Sequence, residues 1–138
     1  MIRTAPVSEI MSKNIIALTR EDNLERAEKL FKRHKIRHIP VVQDETVIGM
    51  LSYSDLLRIS FSEVSDDENN IDSVVFDMFT IEQVMSKNVT SIGSNTSIKE
   101  AAEILAKQEF HALPVVDQGI LIGIITTTDL LNYFVNQY

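Results

Sequence analysis

The tetrapeptide Met11-Ser12-Lys13-Asn14 returns as Met85-Ser86-Lys87-Asn88, 74 residues further on, and the same offset holds without a gap along the chain. It pairs Ala27 with Ala101, Pro40-Val41-Val42 with Pro114-Val115-Val116, Ile48-Gly49 with Ile122-Gly123, and Asp55-Leu56-Leu57 with Asp129-Leu130-Leu131. A single tetrapeptide match arises by chance, but several separated blocks in one register require duplication. Whatever one half folds into must therefore form twice within 138 residues.

Periodicity gives each half the same coarse plan. Ile15 to Leu18 and Val89 to Ile92 are short β-prone runs after a helical-looking lead-in. Leu24, Ala27, Leu30 and Phe31, matched by Ile98, Ala101, Ile104 and Leu105, fall at helical spacing. Asn23 and Ser97 suit the N-cap positions of these helices, and Ser97 with Glu100 predicts a capping box. Two β-rich runs follow in each half, Ile39 to Val42 with Val47 to Ser52, and Leu113 to Val116 with Leu121 to Thr126. Proline is expected at the opening of the first strand of each hairpin, where a missing N–H is tolerated. A closing helix runs from about Ser54 to Phe61 and from Thr128 to Asn136.

The expected fold class is α/β, with two β-α-β-β-α repeats packed on each other around a pseudo-two-fold axis, because a unit of about 50 residues buries too little surface to be secure alone. The expected division is repeat 1 over residues 1–60, an acidic connector over 61–80 and repeat 2 over 81–138. Between Arg58 and Lys87 there are seven acids and no base, which accounts for the entire net charge of −7. Ser62 to Asn70 has the composition of a solvated linker. Ile71 to Phe79 is too apolar for one and is expected to dock on the core or on a partner.

These balances exclude several function classes. An acidic chain argues against non-specific nucleic-acid binding. No apolar run approaches the roughly 20 residues that a membrane span needs, so no membrane association is expected. The N-terminal residues lack the apolar stretch of a secretory signal, and the absence of Cys fits a reducing, cytoplasmic setting. There is no Cys nucleophile, Gly-x-Ser-x-Gly, P-loop or His-Glu-x-x-His, so no enzymatic activity is expected. His34, His38 and His111 lack partners at metal-ligand spacing, and no metal site is expected.

Chemistry concentrates in Gly49-Met50-Leu51-Ser52-Tyr53-Ser54-Asp55 and its copy Gly123-Ile124-Ile125-Thr126-Thr127-Thr128-Asp129, both Gly-x-x-Ser/Thr-x-x-Asp at a strand-to-helix junction. Two readings stand side by side. In one, Ser or Thr and the acid three residues on form a capping box that satisfies free helical N–H groups. In the other, the helix N-terminus and hydroxyl meet a phosphate while the carboxylate accepts both hydroxyls of a ribose.

The repeat plan and both motifs resemble the CBS (cystathionine-beta-synthase-type) domain family, over about Val7 to Leu57 and Ile81 to Leu131. The resemblance implies a CBS pair, a regulatory module that senses an adenosine-containing ligand (AMP, ADP, ATP or S-adenosylmethionine) in a cleft between the repeats, with no cofactor required. It implies ribose contacts for Asp55 and Asp129 and phosphate contacts for Ser52 and Thr126. It further implies base or phosphate contacts for Arg37, His38 and His111, and an adenine slot that includes Thr19, Ile92 and Ala112. Ordinary core packing is the competing account of the slot residues. The alternative function is a ligand-free interaction or dimerisation module whose motifs only cap helices.

The copies differ in charge. Lys32-Arg33-His34-Lys35-Ile36-Arg37-His38 stands against Ala106-Lys107-Gln108-Glu109-Phe110-His111-Ala112. The basic run is either a solvated helix end, favourable at a helix C-terminus, or the lining of a site for phosphates. The closing helices carry Leu56, Leu57 and Phe61, and Leu130, Leu131, Tyr133, Phe134 and Tyr138, which either close the core or pair two modules into a homodimer. A separate effector protein is the expected target of regulation.

Overall fold

The computed structural model describes residues 5–62, 76–108 and 111–137. A 3-10 turn (Val7–Glu9) precedes helix α1 (Leu24–His34), strands β1 (His38–Gln43) and β2 (Thr46–Ser52), and helix α2 (Tyr53–Ser62). A short helix α3 (Ile81–Val84) leads into helix α4 (Ile98–Lys107), strands β3 (Ala112–Asp117) and β4 (Ile120–Thr126), and helix α5 (Thr127–Asn136). The chain forms two compact units: a central unit from the described part of Ile16–Val89, and a terminal unit from the described parts of Met1–Ile15 and Thr90–Tyr138.

Each unit is built on one antiparallel hairpin, β1 with β2 and β3 with β4. The hairpins carry the same irregularity at the same place, with Val41 opposite Gly49 but Val42 opposite Val47, and Val115 opposite Gly123 but Val116 opposite Leu121. The extra residue, Ile48 or Ile122, is the signature of a β-bulge, which bends and twists the strand. The turns differ: Gln118 and Gly119 both have positive φ (53° and 81°), as a two-residue primed turn requires, whereas the first hairpin places Asp44 at φ 58°.

The β-prone runs ahead of the helices do not become full strands. Each makes a single parallel bridge, Leu18 to Val41 and Ile92 to Val115. Leu18 N–H donates to the Pro40 carbonyl (3.0 Å) and Val42 N–H to the Leu18 carbonyl (2.8 Å). This also corrects the expected position of the prolines, which stand third in β1 and β3 rather than at their openings. The position is tolerated because the polar edge of Pro40 faces the single Leu18 bridge, which needs its carbonyl but not an N–H.

The helix starts follow the sequence signals closely. Asn23 Oδ1 accepts from Arg26 N–H (2.8 Å) and Ser97 Oγ from Glu100 N–H (3.0 Å). The reciprocal half of the Ser97 box is not formed. At that end of α4 the Ala5–Val7 segment arrives instead, with Ile98 N–H donating to the Ala5 carbonyl (2.7 Å) and Val7 N–H to the Thr96 carbonyl (2.8 Å). A complete capping box occurs where none was expected, between Thr80 and Gln83 at the start of α3. Its counterpart in the first repeat begins with Pro6, which offers no side-chain cap, and only a 3-10 turn forms there.

The lead-in of each repeat packs on the hairpin of the other. Ser12 bridges Ile124 within the terminal unit, and Ser86 bridges Met50 within the central unit. Gly49 and Gly123 make room for this: a methyl group on Gly49 would run into Met85 Sδ, and one on Gly123 would lie 2.6 Å from Met11 Sδ. The central core gathers Leu18, Leu24, Phe31, Ile39, Leu51, Leu56 and Ile81, and the terminal core gathers Val7, Ile98, Leu113, Val115, Ile125 and Leu130. Most of the acidic connector lies outside the described residues, as do the side chains of Phe61 and Tyr138. From the apolar stretch after the connector, Phe76 is buried in the central core while Met78 is exposed.

Candidate functional site

In the central unit His38 stands opposite Ser52 across the hairpin, and Tyr53 N–H donates to the Arg37 carbonyl at 2.9 Å. That bond ties the residue before β1 to the first residue of α2. Arg37, His38, Ser52 and Asp55 therefore gather at one end of the hairpin. The terminal unit repeats the arrangement, with Ala112 opposite Thr126 and Thr127 N–H donating to the His111 carbonyl at 3.0 Å. His111, Ala112, Thr126 and Asp129 are the residues gathered there.

Both motifs form reciprocal boxes. Asp55 N–H donates to Ser52 Oγ (3.1 Å) and Ser52 N–H to Asp55 Oδ2 (3.1 Å). Asp129 N–H donates to Thr126 Oγ1 (3.1 Å) and Thr126 N–H to Asp129 Oδ2 (2.9 Å). The capping geometry is thus real in both copies, but it does not exhaust the carboxylates. An ionised carboxylate offers about four acceptor positions, and each box occupies one, on Oδ2. Asp55 Oδ1 also receives the exposed Arg58 guanidinium at 3.3 Å. Both aspartates are half-buried, and neither box uses Oδ1.

Thr19 and Ile92 are placed differently. Leu18 and Ile92 lie against Val41 and Val115, and these parallel segments run on, away from the motif end. Thr19 therefore falls beside the Val42 level of β1, about four residues or about 13 Å along the strand from His38. It donates its N–H to Asp22 Oδ2 (2.8 Å), opening the turn that leads into α1. Ile92 and Ala112 are both buried; Ile92 belongs to the terminal core and Ala112 lies outside that cluster.

Charge separates the two ends. In the central unit Arg37 is exposed and has no acidic partner among the described residues, and Arg58 lies beside Asp55. The 74-residue offset puts His111 in the place of Arg37 and Asn132 in the place of Arg58. Further along the strands, Ser94 Oγ donates to Asp117 Oδ2 (2.6 Å) and Ser94 N–H to Asp117 Oδ1 (3.0 Å). The Ser94 hydroxyl first, and its amide second, hold the Asp117 carboxyl below the usual carboxylate range. The equivalent pair is Arg20 with Gln43, joined at 3.0 Å, and Arg20 also meets Glu82 at 3.1 Å. Sequence reasoning passed over this pair. The signal was available in the offset, which aligns 20 with 94 and 43 with 117, but the partners are 23 residues apart and belong to no local motif.

No helix among the described residues is long and apolar enough to cross a membrane. Against known proteins, the chain is 27% identical over 124 residues to the CBS domain-containing protein YhcV of Bacillus subtilis, covering 90% of this chain and 81% of that protein. It spans between 22% and 46% of several longer relatives. Among solved structures, the CBS domain pair of protein MJ0100, in complex with 5′-methylthioadenosine and S-adenosyl-L-methionine, superposes with a TM-score of 0.82 at 22% identity, covering 99% of this chain and 100% of that one. CBSX2 in complex with AMP superposes with a TM-score of 0.77 at 23% identity, covering 96% of this chain and 97% of that one. The CBS domain model itself matches residues 7–62 and 81–136, one match for each repeat. The chain therefore belongs to the CBS domain family, as a tandem pair of its repeats.

Proposed function

We propose that this CBS pair is a regulatory module that binds an adenosine-containing ligand through the Ser52/Asp55 and Thr126/Asp129 motifs and carries out no chemistry of its own. The observation that carries the reading is the state of the two carboxylates. Each is fixed by its box through Oδ2, which leaves Oδ1, shared at Asp55 with the exposed Arg58, as an acceptor for a ribose hydroxyl beside the Ser52 or Thr126 hydroxyl assigned to the phosphate. The AMP bound to CBSX2 and the S-adenosyl-L-methionine and 5′-methylthioadenosine bound to MJ0100 support that ligand class. Regulation follows if the ligand binds one state of the protein better than another, since a differential affinity is all that a population shift needs. The reading extends to a cytoplasmic homodimer of CBS pairs acting on a separate effector protein.

Thermal unfolding with AMP, ADP, ATP, S-adenosylmethionine and NADH tests this. Ligand at about 100 times its Kd stabilises by roughly 2.7 kcal/mol, several degrees for a chain of this length. Asp55→Asn and Asp129→Asn keep an acceptor for the box while removing the charge, and each is expected to abolish one site. No shift with any compound, or full binding by the double variant, overturns the reading. The second reading is an interaction module, favoured by the complete boxes and by Leu131, Phe134 and Val135 on α5, exposed by 59%, 52% and 69%. Concentration-dependent assembly without any ligand shift is its expected result.

A further inference from the structure

The motif ends of the two units carry opposite charge. At the central one, the Asp55 carboxylate has the Arg58 guanidinium 3.3 Å away, and the exposed Arg37, whose carbonyl is bonded to the first residue of α2, is mounted at the same end. At the terminal one, Asp129 stands with His111 and Asn132 at the corresponding positions and with no Lys or Arg among them. The hairpin register, the bulge and the box are the same in both units, so the charge difference comes from the side chains mounted at equivalent positions.

We infer that the two units select different adenosine ligands: the central unit a phosphorylated one, the terminal unit one without a phosphate. This rests on the adenosine reading above and adds to it the ligand class of each motif. A phosphate placed at the start of α2, where the Ser52, Tyr53 and Asp55 N–H groups are already bonded within the protein, is met by the arginines of that end, whose guanidiniums bind phosphate oxygens in a planar fork. The same phosphate at the start of α5, where the Thr126, Thr127 and Asp129 N–H groups are likewise bonded, faces the Asp129 carboxylate with no arginine at the equivalent positions to offset it. Like charge disfavours binding there, and discrimination of this kind combines attraction at one site with repulsion at the other. Arg58 is the exposed member of its pair with Asp55, so its guanidinium can exchange partners at little cost when a phosphate arrives.

The test compares AMP with adenosine, which differ only in the phosphate, by calorimetric titration of the full chain. In Asp129→Asn, where the central motif remains, AMP is expected to bind at least about tenfold tighter than adenosine, one charge-assisted contact's worth. That preference is expected to shrink at high salt. In Asp55→Asn, where the terminal motif remains, adenosine is expected to bind as well as AMP or better. Replacing the guanidiniums in the Asp129→Asn background by Arg37→His and Arg58→Asn is expected to remove the AMP preference. The converse pair, His111→Arg with Asn132→Arg in the Asp55→Asn background, is expected to create it. The same AMP-to-adenosine ratio in both single-site proteins, or a ratio that neither exchange moves, overturns the inference while leaving adenosine binding intact. No binding of either compound to the unmodified chain overturns the adenosine reading itself.

Discussion

Gly49→Ala probes the contact that fastens the second lead-in to the first hairpin. The new methyl would meet Met85 Sδ directly and lie 2.9 Å from Met85 Cγ and 3.0 Å from Cε, so its three nearest neighbours belong to one side chain. Met85 is only 7% exposed and packs in the central core, so it has to repack rather than swing into solvent. Overpacking of this kind costs about 1–3 kcal/mol. For 138 residues, the entropy of unfolding converts each kcal/mol into about 3–4 °C, giving a drop in Tm of about 3–12 °C. Urea unfolding of a double-mutant cycle with Met85→Ala isolates the cause. In that background Gly49→Ala is expected to cost less than about 0.5 kcal/mol, because the clashing atoms are gone. The matching cycle at Gly123 and Met11 is expected to couple only in part. There the Ser12 carbonyl also lies 3.0 Å from the added methyl, and it is held by a bond from Ile124 N–H (3.0 Å), next to the one Ser12 N–H gives to the Ile124 carbonyl (2.8 Å). If Gly49→Ala is equally damaging with and without Met85, close approach of the lead-in is not why glycine stands there.

Ser52→Ala and Thr126→Ala each remove the hydroxyl that accepts the Asp N–H at a helix start, and each is expected to cost about 1 kcal/mol in urea unfolding; no loss would show that water replaces the cap at no cost. The Ser94–Asp117 pair predicts a pH effect. Because the folded-state pKa of Asp117 is depressed, its contribution is present above the ordinary carboxylate value of 3.8 and is lost as pH falls through the lower folded value. Ser94→Ala is expected to lower Tm at neutral pH and to flatten the acid limb of the Tm–pH curve. An unchanged acid limb would refute that assignment.

How much of this was legible in the sequence divides along physical lines. Local signals carried well: Asn23 and Ser97 cap their helices, and Ser52 with Asp55 and Thr126 with Asp129 form boxes, because each involves residues three apart whose geometry the backbone enforces. The hairpins were readable for the same reason, and the motif residues Arg37, His38, Ser52 and Asp55 fall together because β1 and β2 are neighbours in the chain. Thr19 was placed with them by analogy alone, and the parallel run of its segment along β1 carries it to the other end of the strand.

The sequence by itself determined that one structural unit occurs twice and that both copies keep an acid at a helix start. Only the tertiary structure decided which lead-in docks on which hairpin. The two lead-ins carry the identical Met-Ser-Lys-Asn, and both hairpins offer a glycine to receive it, so no local preference distinguishes self-docking from exchange. The exchange emerges from long-range backbone pairing, Ser12 with Ile124 and Ser86 with Met50, whose free energy depends on the whole arrangement of each unit rather than on any residue type. The same holds for the charge at the motif ends. The arginines were visible in the sequence, but the fold is what sets Arg58 beside Asp55 and brings Arg37 to the same end of the hairpin.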